Sequence, residues 1–269
     1  MSSVTTAALL RGYRHLPRPL ARALAGDVVT IDSLRLRIPG TFPIRASVLA
    51  ATTRVRAVLD AVLRRGGTFV DVGANIGYVT ALAAARVGAG GRVLALEPAR
   101  DNFAVLEENV RANRLSGVTP LCVAAGRRRE ERTLFLRGDL SAVNSLFEES
   151  CYSSVTGTST VQVVPVDDLV DQPPDLVKID VEGGELDVLD GMRTVLSRPA
   201  VQLIVEWHPL LQRAAGHDPA ALPRFLLDEG FTLTMVGDFS VRPLPAEAVP
   251  RIEARLARRG RPVELYARR

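Results

Sequence analysis

The sequence predicts an α/β protein built on a doubly wound, mostly parallel sheet, with an N-terminal helix and hairpin and a β-insertion. Three observations lead there. From Phe69 onward, short apolar runs rich in Val, Ile and Leu alternate with longer amphipathic stretches, the pattern of strands buried on both faces and joined by covering helices. Between Val70 and Thr80 the chain passes from β-favouring residues through Gly73 and Gly77 into an Ala- and Leu-rich segment, which reads as strand, tight turn and helix start. Carboxylates follow most of the strand-like runs, at the end of a parallel sheet where ligands bind.

The totals agree with one such domain. A chain of 269 residues, 47% hydrophobic and 24% charged, is long enough for one large α/β core with elaborations and short for two. We divide it into an extension over residues 1–52 and the main domain over 53–269. No apolar run reaches the 18 or more residues needed to span a bilayer. Arg11, Arg14 and Arg18 follow only a short apolar patch, the wrong order for a secretory signal, so a cytoplasmic protein is expected. The net charge of +4 is not concentrated on one face: Lys178 is the only lysine, and the 30 acidic residues are interspersed among the arginines. No nucleic-acid partner is expected from it. Cys122 and Cys151 have no metal spacing and are expected as reduced thiols.

Residues 1–25 fit an amphipathic helix interrupted at Pro17 and Pro19. Val28–Ile38 reads as two short strands turning at Asp32-Ser33. Thr52 or Thr53 can cap a helix whose stripe is Val55, Val58, Leu59, Val62 and Leu63. The core follows: strand Phe69–Val72 and helix Ile76–Val87, strand Arg92–Leu96 and helix Arg100–Asn113, then strand Val118–Ala124. Residues 126–166 break the alternation with β-like runs at Arg132–Arg137 and Thr160–Val166 around a polar loop. Strand Asp175–Asp180, helix Glu185–Leu196 and strand Val201–Val205 resume it. Helix Pro219–Glu229, strand Phe231–Val236, helical residues 246–259 and strand Val263–Ala267 finish the domain, the last two strands forming an antiparallel pair at one sheet edge.

The strand ends carry the chemistry. Glu97, after the second strand, can accept hydrogen bonds from the ribose hydroxyls of an adenosine and would repel a 2′-phosphate. The turn Asp71-x-Gly73-x-Asn75-x-Gly77 begins with an acid where the dinucleotide pattern begins with glycine. A carboxylate is unfavourable beside a pyrophosphate and favourable beside the ammonium of an amino acid. The combination suits S-adenosyl-L-methionine better than NAD. Asn75 is equally readable as a turn residue comfortable at positive φ.

Val70–Thr80, Leu96-Glu97-Pro98, Glu108-Asn109-Val110-x-x-Asn113, Asn144-Ser145-Leu146, Val166-Asp167-Asp168-Leu169, Lys178-Ile179-Asp180-Val181-Glu182-Gly183-x-Glu185 and Val205-Glu206-x-His208 closely resemble the FkbM-type family of S-adenosylmethionine-dependent methyltransferases. The likeness runs from about Leu63 to Phe239, and the Lys178–Glu185 run is its most specific part. Trp207 and the arginine-rich 126–132 loop depart from it. The resemblance implies a class I methyltransferase, Rossmann-like fold and methylation of a hydroxyl on a sugar, glycolipid or secondary metabolite. By resemblance and position, Asp71, Gly73, Asn75 and Gly77 would take the methionine end of the cofactor and Glu97 its ribose, with Asn102 and Ala124 near the adenine.

Methyl transfer to a hydroxyl needs the acceptor positioned and its proton removed. Asp180, Glu182 and His208 are the candidates, with Glu206 on the neighbouring strand. Each also has a purely structural reading: Lys178 and Asp180 as a strand-end ion pair, Glu185 as a first-turn helix charge, His208 as a loop residue before Pro209. No metal is assigned, although Asp180, Glu206 and His208 would be its ligands if one were present. Two other functions compete: a nucleotide-binding oxidoreductase of NAD type, and a silent binding module that keeps the fold. The concentration of carboxylates from Asp180 to Glu185 argues against the latter.

Overall fold

A computed structural model describes residues 26–40, 54–138, 143–152, 154–237 and 240–269. The helix expected over residues 1–25 and the caps at Thr52 and Thr53 lie outside them. Two short strands, β1 (Val28–Ile31) and β2 (Leu34–Arg37), form the expected hairpin, with Asp32 and Ser33 at positive φ. Helical residues 54–62 (α1) lead into the core.

The core follows in strand–helix order: β3 (Thr68–Val72), α2 (Tyr78–Val87), β4 (Arg92–Leu96), α3 (Arg100–Ala112) and β5 (Val118–Leu121). After the insertion come β9 (Leu176–Ile179), the short helices α4 (Glu185–Asp190) and α5 (Arg193–Leu196), and β10 (Gln202–Trp207). Helices α6 (Pro209–Ala214) and α7 (Ala221–Asp228), strands β11 (Thr232–Gly237) and β12 (Ser240–Pro243), helix α8 (Val249–Arg259) and strand β13 (Val263–Arg268) close the chain.

These strands form an eight-stranded sheet of order β12-β11-β13-β10-β9-β3-β4-β5. The five strands from β5 to β10 are parallel, and β13, β11 and β12 are antiparallel to their neighbours. From β3 the chain winds outward through β4 to β5; from β9 it winds the other way to β10. Strand order therefore reverses between β3 and β9, and the crevice at their carboxyl ends is where such a sheet binds ligands.

Pleating divides the core. Phe69 faces the cluster that contains Leu59, Leu82 and Leu106 of α1–α3, while Val70 and Val72 face the cluster with Leu189, Leu222 and Leu256 of α4, α7 and α8. The hairpin belongs to the first cluster through Val29, Leu34 and Leu36. Asn109 of α3 and Asn113, which caps its C-terminus, fasten it: Arg37 N donates to Asn109 Oδ1 at 2.7 Å, and Arg35 N to Asn113 Oδ1 at 2.8 Å. The Asn-x-x-x-Asn spacing puts both amides on one helix face, and their Nδ2 groups return hydrogen bonds to the carbonyls of Arg37 and Arg35 at 3.0 and 2.8 Å.

Several expectations need correction. The apolar run Val118–Ala124 is not one strand: β5 ends at Leu121, and Ala124–Ala125 (β6) joins a second sheet beside β8 (Gly157–Val164), which pairs antiparallel with β7 (Glu130–Leu136). Continuous hydrophobicity conceals a change of sheet. The helix expected over Glu185–Leu196 breaks at Gly191-Met192 into α4 and α5. The closing pair is antiparallel, but β13 lies inside the sheet between β10 and β11, and β12 is the edge strand. Proline at 243 and 245 kept β12 from reading as a strand.

Candidate active site

The crevice is built where β3 meets β9. Beyond Val72 the backbone takes three left-handed residues, Gly73 (φ 78), Asn75 (φ 51) and Gly77 (φ 81). A Cβ on Gly73 would stand 1.9 Å from the Asp180 carbonyl oxygen, and one on Gly77 2.4 Å from Leu106 Cδ1. The glycine turn thus touches the loop that follows β9, an approach no side chain at 73 would permit.

Asp71 lies beneath this turn, fully buried. Its Oδ2 accepts a hydrogen bond from Thr80 Oγ1 at 2.6 Å, and its Oδ1 is 3.5 Å from Lys178 Nζ. The same ammonium is 3.4 Å from Asp180 Oδ2 and donates to the Gly73 carbonyl at 3.2 Å. Burial works against its charge, but Asp180, Asp71 and Glu264 together outweigh that and hold its pKa above the ordinary value. The only lysine of the chain therefore ties both strand ends together.

Glu97 occupies the floor of the turn. Its carboxylate accepts from Asn75 N at 2.8 Å, Ala99 N at 2.9 Å and, weakly, Asn102 Nδ2 at 3.4 Å. Burial raises its pKa to about 7 against these donors. A carboxylate has roughly four acceptor positions, so a ribose hydroxyl finds one open and a second where Asn102 is only weakly engaged. Asn75 turns its own Oδ1 back to Ile76 N at 2.7 Å. Ala124 in β6 is buried in a small cluster with Ala99, the residue that follows Pro98.

On the other side of the crevice, acids crowd together. One carboxylate oxygen each from Asp180, Glu182 and Glu206 lies within 4.8 Å of the others. Burial first, and then Asp180 beside it, drive the pKa values of both Glu182 and Glu206 well above the usual carboxylate range. Glu182 is held at φ 58, and its carbonyl accepts from Ser145 Oγ at 2.8 Å. Glu185 is turned inward rather than exposed as a helix charge. Its Oε1 caps Val181 N and Gly183 N, both at 3.1 Å, and its Oε2 takes a hydrogen bond from Gln212 Nε2. Burial lifts its pKa to about 7.

His208 begins α6, its carbonyl accepting from Gln212 N at 3.0 Å. The ring is buried, edge-on to Tyr152 at 5.7 Å, with Cys151 Sγ 3.9 Å from Nε2 and no hydrogen bond at Nδ1 among the described residues. Desolvation lowers its pKa to about 4, which keeps it neutral at neutral pH.

Sequence reasoning passed over Gln212, Tyr152 and Arg137. Pro209 directly after a polar residue is a helix-start signal that could have revealed α6 and so Gln212. Arg137 is buried and donates to the carbonyls of Phe135, Val143, Phe147 and Glu148, which folds the 143–148 segment down beside Glu182. No local pattern announces such a role.

A parallel sheet reversing at β3 and β9, a left-handed turn over a buried Glu, and a facing acidic loop define an α/β domain of the class I methyltransferase type. The Methyltransferase FkbM domain model matches residues 71–233, and the chain belongs to that family. Its cofactor is S-adenosyl-L-methionine, which the Glu97 floor and its open acceptor positions fit. Hexuronic acid methyltransferase AglP of Haloferax volcanii is 31% identical over 160 residues, 58% of this chain and 59% of that protein. The match therefore spans less than two thirds of this relative's length. Among solved structures, a methyltransferase FkbM from Methylobacillus flagellatus is similar at TM-score 0.48 and 20% identity over 97% of this chain and 60% of that one. Aeropyrum pernix fibrillarin in complex with S-adenosyl-L-methionine matches at TM-score 0.45 and 13% identity, covering 96% and 86% of the two chains. Among the described residues no helix is long and apolar enough to cross a membrane.

Proposed function

We propose that the protein is an S-adenosyl-L-methionine-dependent O-methyltransferase whose acceptor is a hydroxyl on a sugar or glycan. The observation that carries this reading is the contact of the glycine turn with the Asp180 loop, which sets a nucleoside floor and an acidic wall across one crevice. When bound, the cofactor supplies an electrophilic methyl group. Glu97 accepts the ribose hydroxyls, and the turn Gly73–Gly77 lies along the amino-acid end. Asp71 acts through Lys178, which fixes the spacing of the two walls.

An acceptor hydroxyl is a weak nucleophile until its proton is taken or shared. Asp180 and Glu182 are the groups we assign to that task. Burial, and then repulsion from Asp180, make Glu182 a stronger proton acceptor than an ordinary carboxylate. His208 is held neutral and is a poor base, so we assign its unpartnered Nδ1 to orienting the acceptor. The named activity of the AglP relative, on a hexuronic acid, supports a sugar acceptor.

The test is transfer of a labelled methyl from S-adenosylmethionine to a panel of neutral sugars, hexuronic acid glycosides and hydroxylated polyketides. Label should enter a sugar as an alkali-stable ether. Label released by mild alkali would mark an ester on a carboxyl group and overturn the hydroxyl assignment.

A further inference from the structure

The acidic wall holds more negative charge than its neighbours balance. Asp180, Glu182 and Glu206 converge, and Glu264 faces Glu206 across the β10–β13 ladder. Two cations bear on it: Lys178 is already shared with Asp71, and Arg137, whose charge reaches Glu182, gives its hydrogen bonds to backbone carbonyls. Arg54 is 3.9 Å from Glu264 Oε1.

A second observation is independent of this count. Glu206 is more than nine-tenths buried, and its Oε2 has no hydrogen-bond donor among the described residues; Glu182 is only half-buried, but its Oε2 is likewise buried and without a donor among them. A buried carboxylate oxygen without a donor is costly, and here both acids contribute to the same cluster of oxygens. Something electropositive belongs between them.

We propose that Asp180, Glu182 and Glu206 form a binding site for one hard divalent cation, such as Mn²⁺, Ca²⁺ or Mg²⁺. All three ligands are oxygens, which suits these ions over softer ones. The spacing fits as well: oxygens within 4.8 Å of one another fall inside the span of two Ca–O bonds of roughly 2.3–2.6 Å each, while Mg²⁺ would draw them slightly closer. Asp180 remains 31% exposed, which leaves one side of the site open to the crevice for water or an acceptor oxygen. Glu182 sits at φ 58 in the loop after β9, with a carboxylate oxygen near those of Asp180 and Glu206. Glu185 is set apart from this cluster, its oxygens being satisfied by Val181, Gly183 and Gln212. The placement at the acceptor wall rests on the methyltransferase reading; the cation site itself does not, and with the ion bound Asp180 and Glu182 hold it rather than act as free bases, the ion then acidifying an acceptor hydroxyl in their stead.

The test is titration of chelator-stripped full-length protein with Mn²⁺, read by calorimetry and by paramagnetic resonance, with Ca²⁺ and Mg²⁺ run by thermal shift. One Mn²⁺ per chain should bind, and the cation should raise the melting temperature. Glu206→Gln and Asp180→Asn should each weaken binding by about 100-fold or more, while Glu206→Gln without cation should melt no lower than the wild type, since it removes repulsion. A merely structural acid would show the opposite, a lower melting temperature and no change in cation response. Absence of binding by the wild type at millimolar cation, or unchanged binding in both variants, would overturn the site and leave protonation as the means of neutralising these acids. S-adenosylhomocysteine is titrated in parallel in the presence of chelator. Its binding without any cation response would remove the cation alone, and a cation response without nucleoside binding would remove the methyltransferase reading alone.

Discussion

At the scale of single residues, Glu97 and Gly73 do different kinds of work, and their substitutions should separate. Glu97 carries ligand contacts. Glu97→Gln should weaken S-adenosylhomocysteine binding by about 10-fold, the loss of a charge-assisted hydrogen bond or two. Because burial holds the Glu97 pKa at about 7, wild-type affinity should fall as pH drops from 8 to 6 and the carboxylate protonates; in the glutamine variant this slope should vanish. The sign for stability is reversed. A carboxyl raised from 4.5 to about 7 on folding contributes stability that is complete below about pH 4.5 and lost as pH rises through about 7. Urea unfolding of the two proteins without ligand should show this component only in the wild type. Gly73, in contrast, is demanded by backbone. At φ 78, with a Cβ 1.9 Å from the Asp180 carbonyl, Gly73→Ala should cost well over the roughly 1 kcal/mol of a strained left-handed alanine. Gly77→Ala meets the flexible end of Leu106 instead and should cost less. Thermal melts rank the two.

At the scale of elements, the β3–β9 junction and the insertion each hold one wall of the crevice. Lys178→Met should destabilise the fold by about 3–5 kcal/mol, because it leaves the buried Asp71 carboxyl without its partner. Adding Asp71→Asn should recover a large part of that loss, a coupling visible in denaturant melts. Ser145→Ala removes the hydrogen bond that steadies the Glu182 carbonyl. Turnover should fall by about 10-fold from misplacement of the acceptor wall, with cofactor affinity unchanged; steady-state kinetics beside a binding titration distinguish the two effects. Elements also show where sequence was readable. Strands β3, β4, β9 and β10 declare themselves by apolar runs ending in Asp71, Glu97, Asp180 and Glu206, since burial on both faces leaves no other composition available. Segment Val118–Ala124 reads as one strand because hydrophobicity carries no mark for a strand that changes sheets. Helix α6 is only six residues long, too short to show a period.

At the scale of the whole molecule, topology does what no motif can. Reversal of strand order between β3 and β9 assembles Glu97, Lys178, Asp180 and Glu206, which are spread over more than a hundred positions of sequence, into one crevice. Their identity as strand-end residues was legible in the sequence. Their pairing was not: that Asp71 faces Lys178 and Glu185 faces Gln212 depends on register and on a helix the pattern did not reveal. The antiparallel β13, slotted between β10 and β11, similarly brings Glu264 opposite Glu206 by register alone. The central claim is that this crevice is an S-adenosyl site and not a dinucleotide site. Calorimetric titration tests it most directly. S-adenosyl-L-methionine should bind with one site per chain while NADH gives no heat; saturable binding of NADH, or no binding of S-adenosyl-L-methionine by folded protein, would contradict the account.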